Sequence, residues 1–155
     1  MIRIKDFETK YRYHNDPWKI GGANDKRYNE IIRNILNLGK EKYKMALDLG
    51  CGHGVFTNQI VKISDKVIGI DISETAISQA QKAYPSIEFI SGDIRKLGDF
   101  NLSPHSFDLI TILDVLCYFP VSKIRKILDD VCDLLTNDGI LVLRHWAPGG
   151  GYLHI

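Results

Sequence analysis

An acidic residue followed by three glycines at alternate positions is the segment of this sequence best suited to chemistry. Asp48 lies in a short apolar run, Gly50, Gly52 and Gly54 follow it, and residues 55–61 have helical apolar spacing. In a strand, glycine loop and helix of this kind, a ligand approaches the backbone without meeting a Cβ. The start of the helix offers unpaired N–H groups and the positive end of its dipole. The pattern therefore predicts a nucleotide-like ligand at a strand end in an open α/β sheet.

The spacing of the glycines distinguishes between two classes of ligand. The dinucleotide fingerprint G-x-G-x-x-G requires its third glycine one residue later, where this chain has Val55. The carboxylate of Asp48 would repel a pyrophosphate, whereas it suits a ligand that carries an ammonium group. S-adenosylmethionine has an amino group, a sulfonium charge and no phosphate, so it is the predicted cofactor. Cys51 and His53, within the loop, are also predicted to contact it. A nicotinamide dehydrogenase is the disfavoured alternative.

A second acid stands where the ribose of such a cofactor is expected. The apolar run 66–71 ends in Asp71, and an acid about twenty residues beyond a glycine loop accepts hydrogen bonds from ribose hydroxyls. Ile72 follows it and is predicted to lie against the adenine face. Leu113, the last residue of a near-continuously apolar run over 107–113, completes the predicted cofactor site on this side.

The pattern D-x-G-x-G-x-G over residues 48–54 resembles motif I of the class I S-adenosylmethionine-dependent methyltransferases. The resemblance implies that Gly92, Asp93 and Ile94 belong to the segment that contacts adenine. In that segment Asp93 would accept a hydrogen bond from the exocyclic amine, and Ile94 would pack on the ring.

A more specific resemblance is to the nodulation protein S group, whose members N-methylate an amino sugar of a chitooligosaccharide. It spans roughly residues 7–145 and depends most on Asp16-Pro17-Trp18 and on Phe56-Thr57 after the glycine loop. The sequence departs from the group over residues 114–118, where the usual E-V-L-Y-Y reads D-V-L-C-Y. The resemblance implies methyl transfer to an amine or hydroxyl of a small polar molecule, such as an amino sugar or a natural product.

Three side chains at expected strand ends are the candidates for catalysis: Asp114, Tyr118 and His145. Because the sulfonium is already activated, the protein mainly aligns acceptor and cofactor and excludes water. A base is required only for an acceptor that arrives protonated. Asp114 has a second interpretation, as a partner of the cofactor's methionine end, and His145 as a solvated strand end. Tyr11 and Trp18 are interpreted either as a lid over the sulfonium through cation–π contact or as a hydrophobic plug.

Composition and charge limit the partners of this chain. It has 155 residues, with 20 Lys and Arg against 19 Asp and Glu and a net charge of +1, so it lacks the basic field of nucleic-acid binders. The three cysteines form no C-x-x-C pair, which argues against a disulfide framework or a zinc site and favours a reducing, cytoplasmic compartment. The sequence indicates no signal peptide and no membrane span. We therefore expect a small-molecule substrate, no metal, no nucleic acid and no membrane partner.

Alternating strands and helices must position these residues. The strands are predicted near 45–49, 66–71, 87–90, 107–113 and 139–145, and the helices near 25–38, 54–63, 74–83 and 121–135. This alternation predicts a Rossmann-like, doubly wound α/β fold with a mostly parallel sheet and helices on both faces.

The chain is expected to form one domain, with an irregular, aromatic lid segment over 1–23 and a core over 24–145. The C-terminal antiparallel hairpin usual in the family that the chain resembles is expected to be absent. Its absence would leave an uncovered sheet edge through which a homodimer could form. The alternative function is a non-catalytic S-adenosylmethionine-binding module or a partner subunit for another chain.

Overall fold

A single sheet forms the centre of the molecule. The structure is a computed structural model, and it describes residues 4–14, 16–18, 26–38, 40–146 and 152–154. In chain order the strands are β1 (Tyr43–Leu49), β2 (Ser64–Asp71), β3 (Glu88–Ser91), β4 (Phe107–Leu113), β5 (Leu135–Trp146) and β6 (Tyr152–His154). Their order across the sheet is β3-β2-β1-β4-β5-β6. Strands β1 to β5 are parallel, and β6 runs antiparallel to β5.

Helices connect most of the strands. They are α1 (Ile4–Tyr13), α2 (Lys26–Leu36), α3 (Val55–Ile60), α4 (Glu74–Ala83) and α5 (Val121–Leu134), with short 3-10 turns at Ile94–Asp99 and Leu116–Tyr118. Helix α3 is three residues shorter at its end than predicted. Residue 25, where the sequence predicts the start of α2, lies outside the described residues. Over the ranges that the structure describes, no helix combines the length and apolar character needed to cross a membrane.

The helices cover both faces of the parallel sheet. Successive side chains of a strand point to opposite faces, so neighbouring residues of the buried strand β1 join different hydrophobic clusters. Leu47 belongs to a cluster with Ile127 and Val131 of α5, whereas Ala46 belongs to one with Ile35 of α2 and Ile60 of α3. The predicted Rossmann-like, doubly wound fold with a mostly parallel sheet is therefore confirmed.

The strand order defines where a ligand can enter. The chain moves outward from β1 through β2 to β3 and then returns to place β4 on the other side of β1. In open α/β sheets, ligands bind at such a switch point, in the crevice beyond the carboxyl ends of the strands. Asp48 lies next to the last residue of β1, and Asp114 directly follows β4. Both acids therefore lie at the crevice.

The N-terminal segment is more regular than the sequence predicted. The irregular structure expected over 1–23 is wrong for residues 4–13, which form α1. Phe7 and Tyr11 are four residues apart and share one helix face, and Asp6 in the first turn and Lys10 in the last complement the helix dipole. The helix was not predicted because aromatic side chains have only a modest intrinsic helix propensity.

The C-terminal end also differs from the expectation. The antiparallel pairing expected to be absent is present in short form, because β6 pairs with β5. Arg144 lies opposite His154, and Trp146 lies opposite Tyr152. An edge strand exposes unpaired N–H and C=O groups, and the returning chain satisfies part of those of β5. Strand β5 is thus not the edge of the sheet over these residues.

Candidate active site

A cavity of about 1010 Å³ lies at the carboxyl ends of the strands, at the upper limit of the usual size of small-molecule sites. It is lined by most of the residues predicted for the site: Tyr11, Trp18, Asp48, Gly50, Cys51, Gly52, Asp71, Ile72, Asp93, Ile94, Leu113, Asp114 and Tyr118. Four other predicted residues, His53, Gly54, Gly92 and His145, are not part of its lining. The carboxyl ends of parallel strands meet at one edge of a sheet, which is why residues so distant in sequence surround one space.

The glycine loop is shaped so that other parts of the chain can approach it closely. Gly50 and Gly52 both have positive φ, at 78° and 54°, a conformation that glycine adopts without strain. A Cβ at Gly50 would collide with the side chain of Val115, and one at Gly52 would lie 2.5 Å from the Tyr11 hydroxyl. The loop therefore needs glycine both for its backbone and for the space around it.

Asp71 links the glycine loop to helix α4. The backbone N–H of Gly52 donates to its Oδ2 at 2.9 Å, and that of Ser73 donates to its Oδ1 at 2.9 Å. Burial raises the pKa of Asp71, although backbone N–H groups of Ser73, Gly52 and Ile72 partly offset this. A carboxylate has about four lone-pair sites, so each oxygen retains capacity to accept from a ligand hydroxyl.

Asp48 is buried under the loop, with only 3% of its surface exposed. The Thr57 hydroxyl donates to Oδ2 and the Thr111 hydroxyl to Oδ1, both at 2.7 Å. Burial raises its pKa to about 6, and the negative charge of Asp71 acts in the same direction, while the two hydroxyls oppose the shift. Asp48 is thus a carboxylate that titrates close to neutral pH.

Asp93 has an internal partner that the sequence did not suggest. Arg95 donates from Nε to both carboxylate oxygens at 2.9 Å, and its backbone N–H donates to Oδ1 at 3.0 Å. Burial alone would raise the pKa of Asp93, but the donors of Arg95 outweigh it and lower the pKa. Gly92 is not part of the cavity lining, and a Cβ there would meet the ring of Phe100.

Asp114 is held by Arg144, a residue that the sequence analysis missed. Nε of Arg144 donates to Asp114 Oδ2 at 3.0 Å, Nη2 donates to the same oxygen, and Asp114 N–H donates to the Arg144 carbonyl at 2.8 Å. Asp114 has φ of 58°, in the left-handed region that Asp tolerates better than most residues. Its Oδ1 is buried and has no hydrogen-bond partner among the described residues. An arginine within the apolar run 139–145 was the one available signal.

Aromatic side chains from the N-terminal segment lie over the cavity. Trp18 Nε1 donates to the Tyr11 hydroxyl at 3.2 Å. Phe7, which the sequence analysis did not select, meets Tyr118 edge to face with ring centroids 4.9 Å apart, and Trp18 lies 5.9 Å from the same ring. The structure thus brings α1 and the turn after β4 together over one space.

A carboxylate on α1 attaches this helix to the core. Glu8 accepts from the Ser73 hydroxyl at 2.7 Å, from the Thr75 N–H at 3.3 Å and from the Thr75 hydroxyl. Burial raises the pKa of Glu8, but these donors outweigh it, so the pKa is lowered. Because Ser73 also donates its N–H to Asp71, the attachment of α1 and the predicted ribose acceptor share one residue.

Two of the three candidates for proton transfer are poorly suited to act as a base. Burial raises the pKa of Tyr118 to about 12, so its phenol stays protonated at neutral pH. His145 is exposed on β5 and does not line the cavity. His145 pairs with Leu153 of β6, so the strand end that it occupies is not at the uncovered sheet edge expected from the sequence. Asp114 is the remaining candidate at the cavity.

His53 lies beside the cavity rather than in it. Its ring centroid is 6.1 Å from that of Tyr11, and its Nδ1 is buried without a partner among the described residues. Burial lowers its pKa, against the opposing charges of Asp16 and Asp71. Over the described residues there is no cluster of three or more side chains able to hold a metal ion.

Comparison with known proteins adds a family match. The sequence profile of a family described as a methyltransferase domain matches residues 46–139. Nodulation protein S of Rhizobium tropici is 29% identical over 136 residues, which is 88% of this chain and 52% of that protein. The ubiquinone biosynthesis O-methyltransferase of Nitrosococcus oceani is 32% identical over 95 residues, which is 59% of this chain and 38% of that protein. The chain thus spans about half the length, or less, of these relatives.

A solved structure shares the fold and part of the sequence. It is the N-methyltransferase NodS from Bradyrhizobium japonicum in complex with S-adenosylhomocysteine, with a TM-score of 0.77 and 25% sequence identity. The match covers 91% of this chain and 71% of that one.

Proposed function

Since this chain belongs to the methyltransferase domain family, we propose that it transfers the methyl group of S-adenosylmethionine to an amine or hydroxyl of a small polar molecule. One observation carries the proposal. Three carboxylates, Asp48, Asp71 and Asp93, lie at successive strand ends around a single cavity and beside a glycine loop with positive φ. This set suits a ligand with an ammonium group, a ribose and an adenine amine, and no phosphate.

The residues present fit such a cofactor. Gly50 and Gly52 of the loop line the cavity, so their backbone can lie against the ligand. Asp71 would accept from the ribose hydroxyls through its remaining lone pairs, and Ile72 and Ile94 would enclose the adenine. Asp48 would face the ammonium group, with Leu113 beside the methionine chain. Asp93 would accept from the adenine amine only through lone pairs that the hydrogen bonds from Arg95 leave free.

The chemistry that the cofactor supplies when bound is an activated methyl group on a sulfonium. The chain's own residues then have to orient the acceptor and exclude water. Tyr11, Trp18, Phe7 and Tyr118 supply the apolar cover. Asp114 would accept an N–H or O–H of the acceptor, because its side chain lines the cavity and is about one third exposed. The backbone strain at Asp114 supports a role in binding, because such outliers concentrate at functional sites.

The acceptor class follows from charge and from the relatives. The net charge of +1 supplies little of the electrostatic term on which nucleic-acid binding depends. The likeness to the N-methyltransferase NodS supports an amine acceptor, for which an amino sugar is the proposed example. The O-methyltransferase relative keeps a hydroxyl acceptor in the proposal. We assign the reaction to a reducing, cytoplasmic setting, which the three free cysteines support. The division of the chain into a lid segment and a core remains a prediction. A homodimer also remains a prediction, and the sheet edge through which it would form is now β6.

A panel assay of cofactor turnover tests the proposal. Wild type and Asp114→Asn are compared on amino sugars, deoxysugar nucleotides, small amines and short RNA, with S-adenosylhomocysteine release as the readout. We expect turnover on a small amine or hydroxyl acceptor and a reduction of about 10²-fold in Asp114→Asn, if Asp114 acts in proton transfer. Turnover confined to RNA would refute the acceptor class.

Calorimetry separates cofactor binding from turnover. Wild type should bind S-adenosylhomocysteine and not NAD. Tight binding without turnover on any acceptor would support the alternative, a non-catalytic binding module or partner subunit. Binding of NAD in place of S-adenosylhomocysteine would overturn the proposal.

A further inference from the structure

Asp48, Asp93 and Asp114 of the cavity differ in how their charge is balanced. Asp93 and Asp114 each receive donors from an arginine, Arg95 and Arg144. Asp48, in contrast, receives hydrogen bonds from two neutral hydroxyls and forms no ion pair among the described residues. Its negative charge is therefore stabilised without being neutralised, and it stays available to a cation in the cavity.

The two hydroxyl donors reach Asp48 from different elements. Thr57 is on α3 and Thr111 is on β4, while Asp48 itself is on β1. Both threonines are fully buried, and each donates to a different carboxylate oxygen at 2.7 Å. Hydrogen bonds on both oxygens fix the plane of the carboxylate as well as stabilise its charge.

A buried carboxylate requires such partners. Removing a charge from water is costly unless hydrogen bonds or an opposite charge replace the lost hydration. Two titratable groups lie close to Asp48, and neither of them stabilises its charged form. Asp71 on β2 adds a repelling charge, and burial raises the pKa of the Cys51 thiol well above its usual range. The hydroxyls of Thr57 and Thr111 are the groups that favour the charged form.

We infer that Thr57 and Thr111 are positioning residues that keep Asp48 ionised and oriented toward the ammonium group of the cofactor. The inference rests on the proposed function for the identity of the ligand. It adds that cofactor affinity depends on the protonation of Asp48, and that the two hydroxyls set the pH range in which the site works.

The sign of the pH effect follows from the raised pKa. Asp48 is protonated below about pH 6, and a neutral acid attracts an ammonium group less than a carboxylate does. Affinity for the cofactor should therefore increase as the pH rises through about 6. If a hydroxyl is removed, the charged form loses a donor and its pKa rises further, so the increase moves to higher pH.

Calorimetric titration with S-adenosylhomocysteine between pH 5 and pH 8 tests the inference. Thr111→Val and Thr57→Val remove one hydroxyl each with little change of shape, and Thr111→Ser and Thr57→Ser retain it. We expect the valine variants to shift the midpoint of the affinity profile upward by about one pH unit, with up to about tenfold weaker binding at pH 6 and a smaller loss at pH 8. The serine variants should follow wild type. A uniform loss with an unchanged midpoint would overturn the inference, because a merely structural role gives that result.

Carbon-13 NMR of the cofactor-free protein provides a second readout that does not depend on ligand binding. The Asp48 carboxyl should titrate near pH 6 in wild type and at higher pH in each valine variant. The two variants lie on a helix and on a strand, so either one alone suffices if the other does not fold. An Asp48 midpoint near pH 4 in wild type, or no shift in a folded valine variant, would overturn the inference. Absence of S-adenosylhomocysteine binding at every pH would instead count against the proposed function.

Discussion

Replacement of Asp71 by alanine is expected to weaken S-adenosylhomocysteine binding about thirtyfold. In the proposed complex this carboxylate accepts from two ribose hydroxyls, and losing a charged acceptor of that kind costs about 2 kcal/mol, which corresponds to a factor of about 30. Calorimetry at pH 8, above the pKa of about 6 of Asp48, measures the change directly.

The structure adds a second consequence to the same substitution. Asp71 also accepts from the N–H groups of Gly52 and Ser73, which lie in buried surroundings. Alanine would leave both without this acceptor, at a cost of about 1–3 kcal/mol each. The free energy of unfolding, measured with a chemical denaturant, should therefore fall by about 2–6 kcal/mol. Part of the affinity loss could then come from a displaced glycine loop rather than from the ribose.

A ligand variant separates the two contributions. A 2′,3′-dideoxy analogue of S-adenosylhomocysteine should bind wild type more weakly than the parent ligand, yet bind the alanine variant as well as the parent does. Asp138→Ala, which removes an exposed carboxylate paired with Lys40, serves as the control and should leave affinity unchanged. Unchanged affinity for S-adenosylhomocysteine in a folded Asp71→Ala variant would refute the ribose assignment. The assignment would also be refuted if the substitution weakened binding of the analogue and of the parent ligand by the same factor.

Two further substitutions test the glycine loop and the N-terminal helix. Gly52→Ala should destabilise the protein by about 1–2 kcal/mol or more, because it places a side chain at positive φ and against the Tyr11 hydroxyl. Denaturant unfolding measures this change. The near-neutral control is Gly98→Ala, since a Cβ at Gly98 would have nothing within 4 Å. Glu8→Gln should speed hydrogen exchange over residues 7–14, whereas added S-adenosylhomocysteine should slow it in wild type. Because the folded pKa of Glu8 is lowered from 4.5, its contribution to docking is present above that pH and is lost as the pH falls through the folded value. Exchange that is insensitive to both the ligand and the substitution would contradict the lid interpretation.

Much of the fold could be predicted from local patterns. Apolar runs of four to eight residues separated by helical spacing specify a parallel sheet with helices on both faces, and these runs correspond to β1 to β5. The prediction that the chain belongs to the methyltransferase family is confirmed by the profile match over residues 46–139. The residues proposed to bind the cofactor could be selected because an acid at a strand end and a glycine loop are signals that lie within one short stretch of sequence. Parallel strands of one sheet then place their carboxyl ends at the same edge, whatever the order in which the chain connects them.

The sequence by itself determined strands β1 to β5, helices α2 to α5 and the acids at the strand ends, whereas the distant partners of those acids were decided by the tertiary structure. Arg144 meets Asp114 across 30 residues because β5 lies beside β4. Glu8 meets Ser73 across 65 residues because α1 docks on α4. Such pairs leave no local periodicity, since they depend on strand order and on how helices pack. The same reason explains why one carboxylate of the cavity is neutralised by an arginine and another is held by two hydroxyls.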